Sequence, residues 1–158
     1  MNYRSVILIG FCALLCSAQA QQTVLPNHDL TKGAELTYLD FWASWCSPCA
    51  TSFPWMEKMN MSYQSKGLRI VAVNMDEDPE AKAAFLKKHK ISFTIIDDGI
   101  DAATSKKFEV ETLPTSFLLN SKGEIIARHN GFTLKSGHKI EQEIKNYLTK
   151  PLPSNEQK

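Results

Sequence analysis

The stretch Trp42-Ala43-Ser44-Trp45-Cys46-Ser47-Pro48-Cys49 follows a strand-like run and opens a helix-like one, and the rest of the chain is organised around it. Two cysteines separated by two residues close a small disulfide ring, and an outside thiolate attacking one sulfur opens it again. The strand-to-helix junction adds a bias, because the unsatisfied N–H groups and positive dipole end of the new helix favour a thiolate over a thiol. Cys46 is therefore the candidate nucleophile. Cys49, one helical turn further in, is the candidate resolving thiol and the one expected to be more buried.

The run before the motif, residues 36–42, reads as a strand buried on both faces: Leu36, Tyr38, Asp40 and Trp42 point one way, Thr37, Leu39 and Phe41 the other. Asp40 is the exception among them. A carboxylate is costly to bury as a charge, so Asp40 is expected to have a raised pKa and a reason to be there.

After the cysteines, residues 50–64 read as a helix bent by Pro54, which lacks a backbone donor. Gly67 ends that element, and 68–75 is the continuous apolar run of a central parallel strand. Asp78 caps a helix with Pro79 in its first turn, leading into 81–90. Residues 91–96 are β-branched and aromatic and read as a strand, followed by a short helix from about 101 to 108. Residues 115–119 and 124–129 form a hairpin about the turn Asn120-Ser121-Lys122-Gly123. The last helix, 135–148, gathers Ile140, Ile144, Tyr147 and Leu148 on one side, and 151–158 is a loose polar tail.

Residues 1–20 read as a separate object. Arg4 supplies a positive start, residues 6–15 an apolar core and Ala18-Gln19-Ala20 a small-x-small cleavage site, the pattern of a secretory signal peptide. The apolar core is about half the roughly 20 residues that a spanning helix needs. Residues 21–150 are then one domain, and removing the signal takes Cys12 and Cys16 with it. Cys46 and Cys49 are left as the two thiols of an exported protein in an oxidising compartment. A bridge across so short a loop restricts the unfolded chain little, which makes a purely structural staple a poor use of it.

The 18 basic and 17 acidic side chains are scattered, and nothing resembles the basic face that nucleic acid requires. A closed zinc site needs four ligands, whereas the chain past residue 20 offers one cysteine pair and four scattered histidines, so no metal site is expected.

The order of elements, with Cys-x-x-Cys at the first strand-helix junction, resembles the thioredoxin superfamily, in particular its exported TlpA/ResA-type thiol-disulfide oxidoreductases. The likeness rests on Asp40-Phe41-Trp42-Ala43-Ser44-Trp45-Cys46-Ser47-Pro48-Cys49 with Phe53-Pro54, on Leu113-Pro114-Thr115 and on Gly131. It implies an α/β fold of thioredoxin type, a central mixed β-sheet with helices on both faces. It implies that Asp40 is the buried acid that exchanges a proton beside Cys49. Pro114 corresponds to a cis-proline packed against the disulfide, which keeps metal off the two thiols, and the Leu113 backbone to the segment that pairs with a client. Trp42, Phe53 and Trp55 are read as core, and Trp45 as an exposed part of an apolar client-binding rim.

Two departures from the family pattern bear on proton handling. Ser52 stands where TlpA/ResA-type proteins usually carry a glutamate, and a serine hydroxyl is no general base at neutral pH. Ala72 stands where thioredoxin has the lysine that partners its buried acid.

Ser47-Pro48 places no positive charge between the cysteines, so nothing there favours the Cys46 thiolate beyond the helix itself, and the expected direction is reduction of client disulfides. The redox-active pair serves without an added cofactor. The resemblance implies cysteine-containing client proteins, with cytochrome c or oxidase maturation among the candidate pathways, a DsbD-type membrane electron donor, and a monomer in the periplasm or an equivalent exported compartment. A disulfide oxidase or isomerase, and a copper chaperone of the same fold, are the alternatives.

Overall fold

The computed structural model describes residues 30–98 and 102–149. The expected signal peptide, most of the segment after it and the C-terminal tail lie outside the described residues. Strand β1 (Leu36–Trp42) leads into helix α1 (Ser47–Tyr63), then β2 (Leu68–Asn74), α2 (Pro79–Lys88), β3 (Thr94–Asp97), α3 (Ala103–Lys107), β4 (Thr115–Asn120), β5 (Ile125–Asn130) and α4 (Leu134–Thr149). The strands form one sheet in the order β3-β2-β1-β4-β5. β1, β2 and β3 run parallel, while β4 is antiparallel to both β1 and β5. The sheet is therefore mixed, with the motif strand β1 at its centre.

All seven residues of β1 are buried, as a strand covered on both faces must be. Alternation divides them between two apolar clusters. Leu36, Tyr38 and Trp42 join Phe53, Met56 and Met59 of α1, Phe85 of α2 and Ile140 and Ile144 of α4. Leu39 and Phe41 join Leu30, Phe108 and Phe117 on the other face, which the short α3 flanks. Among the described residues, helices thus lie on both faces, α1, α2 and α4 on one and α3 on the other. Phe53 is the hub of the larger cluster, with ring centroids 4.7 Å from Trp42, 4.9 Å from Phe85 and 5.6 Å from Phe93. Complete burial of such a ring contributes about 2–3 kcal/mol.

Among the element boundaries that differ from the sequence expectation, those of α1, β3 and α3 do so for a local reason. Helix α1 starts at Ser47 rather than 50, because Pro48 falls in the first turn, where its missing N–H has no intrahelical partner to lose. It then continues through Pro54. Strand β3 starts at Thr94 rather than 91: the Ser92 N–H donates to Glu57 of α1 at 2.8 Å, with the Ser92 hydroxyl on the same carboxylate at 2.7 Å, so that N–H does not serve a ladder with β2. Helix α3 spans five residues, and its first N–H groups are taken by Asp98, which accepts from Thr104 and Ser105 at 2.7 Å each. Asp78 caps α2 as expected, accepting from the backbone N–H groups of Glu80 and Ala81. No helix among the described residues is long and apolar enough to cross a membrane.

Candidate active site

Parallel β1 and β2 both end on the side of the sheet where the motif begins. Beyond Trp42 the chain makes one tight turn, in which the Cys46 N–H donates to the Ala43 carbonyl at 3.1 Å. Ser44 and Trp45 are its corners. Cys46 then takes the N-cap position of α1 in an extended conformation, with no side chain capping the first turn. That places its sulfur at the positive end of a 17-residue helix, where a thiolate is favoured.

Cys46 and Cys49 are joined, with an S–S distance of 2.01 Å. Their exposure differs in the expected sense, 5% for Cys46 and 0% for Cys49. Of the two sulfur-bearing residues, Cys46 is the one with any surface left exposed. Ser52 does not serve as a proton carrier for either: it is fully buried, and its hydroxyl donates back to the Cys49 carbonyl at 3.0 Å.

Asp40 is 1% exposed and points to the same face of β1 as Tyr38 and Trp42, the face whose cluster contains both cysteines. Burial pushes its carboxyl well above the usual carboxylate range, and a hydrogen bond from the Tyr38 hydroxyl pulls part of the way back. Tyr38 is in turn driven up by burial and by the Asp40 charge, while Ser116 donates to its oxygen. Ser116 faces Asp40 across the β1–β4 ladder and Ala72 faces it across β1–β2. Asp40 Oδ2 has no hydrogen-bond partner among the described residues. A carboxyl with one oxygen held and one free, in an apolar setting, is equipped to take up a proton.

The Leu113–Pro114 peptide bond is cis, as the resemblance implied. Pro114 is buried and precedes β4, and since Thr115 is in register with Phe41, the two residues lie at the same end of the sheet as the motif turn. Leu113 packs against the cluster that includes Cys46 and Cys49. Gly131, in the left-handed conformation at φ 73°, donates its N–H to the Pro114 carbonyl at 2.7 Å, and Thr115 Oγ1 donates to the Thr112 carbonyl at 2.7 Å. Trp45 is 72% exposed, while Trp42 and Phe53 are wholly buried. Cys46, Cys49, Asp40, Leu113, Pro114 and Trp45 thus all belong to one end of the sheet or to the cluster beneath it. Among the described residues, no group of three or more histidine, cysteine or acidic side chains is gathered where it could hold a metal ion.

Two contributors were not singled out from sequence. Tyr38 was read as core, although its place two residues before Asp40 on a strand put both on one face. Asp76, just past β2, accepts from the Ser44 N–H and hydroxyl in the motif turn. Nothing local in the sequence announces that contact across 32 positions.

Residues 15–147 match the Redoxin family. The thiol-disulfide oxidoreductase ResA of Bacillus subtilis (strain 168) is 36% identical over 89 residues, 56% of this chain and 49% of that protein. The sporulation thiol-disulfide oxidoreductase A of the same organism is 33% identical over 115 residues, 71% of this chain and 66% of that protein. The chain thus spans about half to two thirds of the length of these relatives. Among solved structures, a Chlorobium tepidum protein assigned as a thiol:disulfide interchange protein DsbE superposes with a TM-score of 0.71 at 39% identity, covering 75% of this chain and 82% of that one. StoA from Bacillus subtilis superposes with a TM-score of 0.60 at 32% identity, over 70% and 82% respectively.

Proposed function

The chain belongs to the Redoxin family, as a ResA-type member of the thioredoxin superfamily, and we propose that it is an exported thiol-disulfide oxidoreductase that reduces disulfides in client proteins. The observation that carries this reading is the asymmetric pair at the start of α1, Cys46 at the helix N-cap with 5% of its surface exposed and Cys49 wholly buried. In the dithiol state, the Cys46 thiolate attacks one sulfur of a client disulfide, forming a mixed disulfide and expelling the other client sulfur as a thiolate. Cys49 then gives its proton to the ionised Asp40 and attacks Cys46 Sγ. The second client thiolate leaves, the client has gained two electrons, and the protein is left with the Cys46–Cys49 disulfide. Trp45 and the backbone at Leu113–Pro114 receive the client segment.

In an oxidising compartment the disulfide must be reduced again, which calls for a dithiol donor of the DsbD type at the membrane. The signal at 1–20, a domain over 21–150, a monomeric state and clients drawn from cytochrome c or oxidase maturation complete the proposal. The absence of a positive charge in Ser47-Pro48 supports the reducing direction.

The equilibrium reduction potential, titrated against defined thiol-disulfide buffers, tests it. A value near or below about −250 mV, in the range of thioredoxin, is expected of a reductase, whereas a value near about −120 mV identifies a disulfide donor and overturns the direction.

A further inference from the structure

The turn that carries Trp45 is held from outside by one carboxylate. Asp76 accepts the Ser44 N–H at 2.8 Å on Oδ2 and 3.1 Å on Oδ1, and the Ser44 hydroxyl at 2.7 Å on Oδ1. A further bond comes from Asn74 Nδ2 to Oδ2 at 2.7 Å, and Asn74 Oδ1 receives the Asp76 N–H at 3.3 Å. Asn74 is itself 2% exposed and ends β2 in register with Trp42, so it is as rigid as the sheet. The Met75 N–H closes the same junction on the Trp42 carbonyl at 2.9 Å.

Ser44 is the first corner of the turn closed by Cys46 and Ala43, and Trp45 is the second. Two atoms of Ser44 are tied to a carboxylate whose own position is set by β2, so the backbone that launches the Trp45 indole is fixed. The indole, 72% exposed, has no burial of its own to orient it. A side chain left in water samples several rotamers and loses that freedom on contact with a partner; fixing the backbone beneath it removes part of the cost of binding.

We infer that Asp76 is a positioning residue for client recognition, acting through Ser44 to present Trp45 beside Cys46. The inference rests on the proposed reading of Trp45 as a client contact. Asp76→Ala removes every bond to the carboxylate, whereas Asp76→Asn, with its amide oxygen at the Oδ2 position, still accepts from the Ser44 N–H and Asn74 Nδ2 while its NH2 donates to the Ser44 hydroxyl, and so is expected to stay close to the native protein.

The test uses insulin as the probe disulfide protein and dithiothreitol as electron source, with KM and kcat determined separately. Trp45→Ala is expected to raise KM by about fivefold or more, the size of effect that marks a significant contact residue. Asp76→Ala is expected to raise KM to a similar degree, with a smaller change in kcat, and Asp76→Asn to leave KM near the native value. In the Trp45→Ala background, Asp76→Ala is expected to add nothing, because the side chain it serves is gone. Should Asp76→Ala not fold, Ser44→Ala removes only the hydroxyl bond and carries the same comparison, raising KM in the native background and not in Trp45→Ala. A KM raised by Trp45→Ala but unmoved by Asp76→Ala and Ser44→Ala overturns the inference alone, as does an Asp76→Ala effect that persists undiminished without Trp45. A KM indifferent to Trp45→Ala overturns the client-rim reading and the inference with it.

Discussion

Asp40 of β1 stands in register with Ala72 of β2, so that a methyl group, not an ammonium, flanks the buried carboxyl on that side. The partner that remains is Tyr38, a neutral donor, which opposes the effect of burial only in part. Burial thereby favours the protonated form of the acid.

Asp40→Asn is expected to slow resolution of the mixed disulfide by roughly 10²-fold, the scale of general acid–base catalysis, while leaving the first attack by Cys46 much less affected. Stopped-flow measurement of the two steps with a trapped client peptide separates them; equal slowing of both contradicts the assignment. Stability carries the opposite sign. A carboxyl whose folded pKa lies above its unfolded value binds its proton more tightly in the native state, so its contribution is complete below the ordinary aspartate value of 3.8 and is lost as pH rises toward the folded pKa. Asp40→Asn is therefore expected to raise Tm at neutral pH and to have little effect near pH 3, which thermal melts across that range check.

Tyr38→Phe deletes the donor that favours the Asp40 carboxylate while keeping the ring that packs edge-on to Trp55 at 5.4 Å. The Asp40-dependent limb of the pH–rate profile is expected to move to higher pH. A profile lowered in amplitude without moving along the pH axis means that Tyr38 only fills space.

Cys49→Ala is expected to accumulate a mixed disulfide through Cys46, visible on non-reducing gels, because no thiol remains to attack Cys46 Sγ. Cys46→Ala is expected to be inert toward the same client, since Cys49 is wholly buried. Equal trapping by the two variants reverses or cancels the roles.

Phe53→Ala empties the hub of the larger cluster, next to Trp42, Phe85, His89 and Phe93. A loss of about 3–5 kcal/mol is expected from urea unfolding. A loss below about 1 kcal/mol indicates that α1 and α2 close over the gap.

His89 lies with its ring 4.4 Å from Phe85, and burial, with a smaller effect of Lys88, lowers its pKa. A base with a depressed folded pKa contributes stability above its unfolded value, which is lost as pH falls through the window beneath 6.5. His89→Phe is expected to remove that part of the acid-side loss, seen as a flatter Tm between pH 7 and pH 5.

Much of this protein is written locally. Alternation and apolar runs located β1, β2 and the hairpin, and Asp78-Pro79 located α2, because strands buried on both faces and capped helices satisfy rules that operate within a few residues. Strand β3 is the counter-example. Its start is not legible locally, because the competing partner of the Ser92 N–H, Glu57, sits on a helix 35 residues earlier. The candidate site divides in the same way. Cys46 and Cys49 were legible from spacing, and Asp40 from being the one acid in a buried strand; Pro114, Leu113 and Trp45 came from resemblance or position.

By itself, the sequence determined the redox pair, the strand-helix junction that carries it and the βα order around it, since each depends on residues close in the chain. Only the tertiary structure decided who surrounds the pair. The pairing of β1 with β2 and β4 sets Ala72 and Ser116 on either side of Asp40, and the loop past β2 brings Asp76 to Ser44. Burial of the carboxyl, the hydrogen bond that moderates it and the clamp on the motif turn all depend on strands meeting in register, which no local pattern of residues specifies.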